Sequence, residues 1–153
     1  MGSIYYAVKC PCCGRSAFKD YYYKTDEEYI VCLRCGFFYK KVIESETANS
    51  VEYVEETNDG HGIFILYRKD GSREKVSLNS EITDEQLESY KSLFTNEEID
   101  QEKSYLVSYK QGTFTILLGN PPENFYLPFE EYKRKMLAKY GLAEDEIMVP
   151  LVE

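Results

Sequence analysis

Two Cys-x-x-Cys pairs, Cys10-Pro11-Cys12-Cys13 and Cys32-Leu33-Arg34-Cys35, stand eighteen residues apart and restrict this chain more than any other feature. A Cys-x-x-Cys turn places two sulfurs on one side of an ion, and two such turns complete a tetrahedron of soft thiolates, the donor set that suits zinc. The spacing between the pairs falls in the range of zinc sites of this type. Glycine follows the second cysteine of each pair, Gly14 and Gly36, where a left-handed backbone closes the turn without a Cβ clash. Pro11 fixes φ in the first turn. The pattern predicts one structural zinc ion on Cys10, Cys13, Cys32 and Cys35, and a shell closed by four cysteines leaves no open position for a catalytic water. The fifth cysteine, Cys12, sits beside a ligand and is expected to point away from the ion.

These turns resemble the CPxCG and CxxCG knuckles of the zinc-ribbon family, whose members include transcription-machinery subunits, ribosomal proteins and small adaptors. The resemblance covers residues 4–43 and implies a structural metal between two β-hairpins, with no reaction of its own. Short strands are expected at Ile4 to Val8, Tyr29 to Cys32 and Phe37 to Ile43, interleaved with the knuckles. So small a module buries too little apolar surface to fold unaided, which makes the metal part of its fold.

With residues 1–43 as the ribbon, residues 44–153 read as a separate acidic α+β domain of antiparallel hairpins and two helices. Strands are expected near 51–56, 62–68, 74–78, 105–109 and 113–118, the middle ones joined at Asp70-Gly71 and the last two at Gln111-Gly112. Thr83 with Gln86 three residues on forms a capping box before Leu87, Tyr90, Leu93 and Phe94, which places a helix near 84–94. Phe129, Tyr132, Met136, Leu137 and Tyr140 recur at helical spacing before Gly141, which places another near 129–140. The tail from Leu142 onward mixes acidic residues with Ile147, Met148, Val149, Leu151 and Val152 and is expected to add an edge strand or to dock on a partner.

Net charge is −9, yet residues 1–41 carry seven Lys/Arg against four Asp/Glu, and residues 42–153 carry eleven against twenty-three. The acidic body disfavours nucleic-acid binding by the whole chain while leaving room for a local basic face on the ribbon. Lys19, Tyr21, Tyr22, Tyr23, Lys24, Phe38, Lys40 and Lys41 supply one candidate face, since aromatics interleaved with lysines suit either stacked bases or a protein surface. Strand alternation sends about half of such residues into packing. His61 is the only histidine, in a Gly-His-Gly turn context, and Ser16 to Lys19 matches Ser-x-x-Lys without its companion motifs. No secretory segment or run of apolar residues able to span a bilayer is present, so a cytoplasmic location is expected. The function expected is non-enzymatic binding of a protein partner in a regulatory or inhibitory role. Its rivals are a nucleic-acid or transcription-complex module using the ribbon face, an acidic nucleic-acid mimic, and an enzyme with an unrecognised site after residue 43.

Overall fold

The computed structural model describes residues 2–60, 63–77, 83, 85, 103–110, 112–122, 124 and 127–151. Its contacts divide the chain into two units, Met1–Gly60 together with Leu127–Glu153, and His61–Tyr126.

In the first unit, β-branched and aromatic residues build a five-stranded antiparallel meander: β1 (Ser3–Lys9), β2 (Ser16–Tyr22), β3 (Glu27–Val31), β4 (Phe38–Glu46) and β5 (Val51–Asn58), paired in chain order. Ser16 to Tyr22, assigned no strand from the sequence, is strand because its backbone pairs with β1 on one side and β3 on the other. The sheet also runs past residue 43. β4 continues to Glu46, turns where the Thr47 N–H donates to the Ser50 carbonyl at 2.8 Å, and returns as β5.

Helix α1 (Phe129–Tyr140) begins after Pro128, whose fixed φ of −53° suits a helix entry, and ends at Gly141. There the Leu142 N–H donates to the Leu137 carbonyl at 2.9 Å. Tyr132, Met136 and Leu137 are buried as their spacing requires, whereas Tyr140 is 53% exposed. Tyr132 and Met136 pack with Ala7 of β1 and with Val149 of the tail. The tail adds a single bridge to the outer edge of β1, where the Ala7 N–H donates to the Val149 carbonyl at 2.8 Å.

The second unit is a four-stranded antiparallel sheet ordered β7, β6, β8, β9, formed by β6 (Ile63–Tyr67), β7 (Arg73–Ser77), β8 (Tyr105–Lys110) and β9 (Thr113–Gly119). In the central strands Ile65, Leu66, Leu106 and Val107 are all buried, so neighbours on opposite faces both lose their water.

Strand accounts for 48% and helix for 11% of the described chain, which makes the fold mostly β with two antiparallel sheets and overturns the expected α+β class with two helices. Tyrosine, phenylalanine and valine are spread along segments that sequence patterning left as loop or acidic surface, and pairing recruits them into strand. Of the helix expected near 84–94 only Glu85 is described, as helical and exposed, and the histidine His61 lies outside the described residues.

Candidate metal centre

The two knuckles are built alike. In the first, the Gly14 N–H donates to the Cys10 carbonyl at 3.0 Å and the Cys10 N–H donates to the Arg15 carbonyl at 2.7 Å. In the second, the Gly36 N–H donates to the Cys32 carbonyl at 2.9 Å and the Cys32 N–H donates to the Phe37 carbonyl at 2.9 Å. Both glycines adopt positive φ, +74° and +81°, which a side chain would oppose. The knuckles sit at the β1–β2 and β3–β4 connections, so antiparallel pairing of those strands carries both turns to the same end of the sheet.

There the four sulfurs converge. Cys10, Cys13, Cys32 and Cys35 are buried and their Sγ atoms all lie within 4.8 Å of one another. Cys10 Sγ is 3.7 Å from Cys35 Sγ, and Cys13 Sγ is 3.7 Å from Cys32 Sγ. A tetrahedral ion with metal–sulfur bonds of about 2.3 Å needs sulfurs about 3.8 Å apart, whereas a disulfide needs about 2.05 Å. The set therefore fits one metal ion. Without a cation the thiols share their protons: a hydrogen bond with Cys13 chiefly holds Cys10 far below the ordinary thiol range, while Cys10 pushes up both Cys13 and Cys35. A cation in the middle replaces those protons and lets all four sulfurs ionise together.

Cys12 stays outside the cluster, half-buried, and contributes only its backbone N–H, 3.4 Å from Cys10 Sγ. Three neighbours escaped the sequence reading. Gly60, which follows β5, packs its backbone on the second knuckle so closely that a Cβ there would stand 2.7 Å from Cys35 Sγ and 2.5 Å from the Cys35 carbonyl oxygen. Arg34, inside the second knuckle, is buried; burial draws it below the usual guanidinium range, while Cys32, Tyr132, Cys13 and Cys10 pull it back. Ser16, whose carbonyl oxygen is 3.9 Å from Cys32 Sγ, keeps a buried hydroxyl with no partner among the described residues.

The candidate aromatic and basic face divides in two. By register, Lys19, Tyr21 and Lys41 lie on one side of the sheet, while Tyr22, Phe38 and Lys40 lie on the other; Tyr23 and Lys24 occupy the exposed turn after β2. Lys19 pairs with Glu28 at 3.0 Å, Lys40 with Glu56 at 3.1 Å and Lys41 with Asp26 at 3.1 Å. Ser16 and Lys19, three apart on a strand, point to opposite faces and form no catalytic pair. Among the described residues no helix is long and apolar enough to cross a membrane.

Comparison with protein families, curated proteins and solved structures finds no match to this chain.

Proposed function

We propose that the chain is a zinc-held recognition module for a protein partner, of the zinc-ribbon kind. The convergence of four buried thiols at separations suited to a tetrahedron carries this reading. A tetrahedral all-sulfur shell suits zinc or an iron–sulfur cluster. Sulfurs 3.7 Å apart leave room for one ion rather than a cluster, which favours zinc. Cys10, Cys13, Cys32 and Cys35 would hold it, and the ion would act as a cross-link between the β1–β2 and β3–β4 connections. With every position taken by sulfur, the chain's own residues are left to present a surface.

Pairing of three lysines with carboxylates speaks for a protein surface over a phosphate-binding one. Lys19, Lys40 and Lys41 would have to give up Glu28, Glu56 and Asp26 to meet phosphates, on a chain of net charge −9. Tyr5 and Tyr29 meanwhile stand exposed on one face of the sheet, with Phe18 and Phe38 packed beside them. Amphipathic rings of this kind are enriched at protein interfaces.

The test is affinity capture from the source cell with the wild type and a Cys32→Ser, Cys35→Ser variant, with metal content measured on both by mass spectrometry. The wild type should carry one zinc per chain and retain a protein that the variant loses. Absence of stoichiometric zinc in the wild type would remove the reading, and so would salt-sensitive capture of DNA or RNA in place of a protein.

A further inference from the structure

Carboxylates and tyrosine rings hold an ammonium group twice on the five-stranded sheet. Lys19 Nζ lies 3.0 Å from Glu28 and 5.8 Å from the ring centres of both Tyr6 and Tyr21. Lys41 Nζ lies 3.1 Å from Asp26 and 4.5 Å from the ring centre of Tyr53. Each lysine combines an ion pair with the attraction of an aromatic face for a cation. Lys19 and Lys41 share one face of the sheet.

On the opposite face the same ingredients recur, with no cation paired to Asp20 or Glu27 among the described residues. Register sets Tyr5, Asp20 and Tyr29 side by side on β1, β2 and β3, and sets Ser3, Tyr22 and Glu27 in the row two residues along. Between these rows Ser3, Asp20, Tyr22, Glu27 and Tyr29 line a concavity of about 240 Å³. Its walls are fixed. Tyr22 packs against Gly2, where a Cβ would stand 3.1 Å from the ring, and the Tyr23 N–H donates to the Gly2 carbonyl at 3.1 Å. Glu27 accepts from the Thr25 hydroxyl at 2.8 Å and from the Ile43 N–H at 3.1 Å. The Asp20 carboxylate has neither a hydrogen bond nor an ion pair among the described residues. Lys40, on the same face, is engaged by Glu56.

We propose that this concavity receives one lysine or arginine side chain from the protein partner, its charged head between Asp20 and Glu27 and its aliphatic stem along Tyr22 and Tyr29. The inference rests on the protein-binding reading above and specifies the chemistry of the partner: an exposed basic side chain on a surface that the acidic body of this chain attracts.

The test is an amide NMR titration of the metal-loaded full chain with three capped tripeptides, Gly-Lys-Gly, Gly-Arg-Gly and Gly-norleucine-Gly. Perturbations from the basic peptides should centre on residues 3, 20, 22, 27 and 29, and the norleucine peptide should bind at least about tenfold more weakly. Asp20→Asn should weaken the lysine peptide by about tenfold, whereas Glu130→Gln on α1 should leave it unchanged. Equal response to norleucine, perturbations spread over the acidic surface, or full binding by Asp20→Asn would each overturn the proposal. Such a failure leaves the wider reading standing as long as the chain still captures a protein that its Cys32→Ser, Cys35→Ser variant does not.

Discussion

Gly60 shows what a single residue does for the four-thiol cluster without contributing a sulfur. Its backbone occupies the space beside Cys35, where the hypothetical Cβ would fall 2.5 Å from a carbonyl oxygen and 2.7 Å from Sγ. The nearest atoms belong to the knuckle itself and have no flexible end to swing away. Gly60→Ala should therefore displace Cys35, lowering stability by about 1–3 kcal/mol, as overpacking does, and weakening metal binding. Titration with cobalt(II), read by its thiolate charge-transfer absorption, checks both affinity and the symmetry of the shell. An unchanged titration would mean that Gly60 is a spectator. The clustering of the four cysteines was legible because a Cys-x-x-Cys turn is decided by neighbours in sequence. Gly60 was not singled out, because its approach to Cys35 depends on how far β4 and β5 extend, and no local signal carries that length.

Among the elements, the β4–β5 hairpin decides whether Gly60 arrives. Its strands are acidic on the outside and carry a cross-strand bond in which the Tyr39 hydroxyl donates to Glu55 at 2.8 Å. Burial first, and then this bond to a carboxylate, push the Tyr39 phenol up to about 12. An unfolded tyrosine ionises near pH 10. The folded value is the higher one, so the contribution of Tyr39 is intact below about pH 10 and is lost as pH rises toward 12. Denaturant unfolding should accordingly show wild-type stability falling more steeply than that of Tyr39→Phe across that window, and parallel curves would contradict it. Element boundaries divide the same way as ligands. The α1 helix was legible over its whole length, because its 3.6-residue spacing and Gly141 are local signals. β2 was not, since Ser16 to Tyr22 becomes strand by pairing with segments on both sides, and the acidic alternation of Val51 to Glu56 announced a strand without saying that its partner would be β4.

For the molecule as a whole, the placement of thiols decides which part depends on metal. In the first unit the large apolar residues buried among the described ones are few, Phe37, Tyr132, Met136, Leu137 and Val149 with the small Ala7 and Ala17, and the four cysteines are buried beside them. A structural zinc contributes about 10–16 kcal/mol of apparent binding free energy in small zinc peptides, comparable to the whole stability of a typical domain. The second unit buries Ile65, Leu66, Leu106 and Val107 and contains no cysteine. Removing the metal with a strong chelator should therefore erase the dispersed amide signals of residues 2–60 and 127–151, while those of residues 63–77 and 103–120 persist. Acidification should act in the same direction, because protons compete with the metal for thiolates. Simultaneous loss of both sets of signals would show that the two contact-defined units unfold as one, and that the reach of the four cysteines extends to the entire chain; retention of both would show that the first unit folds on its small apolar interior alone.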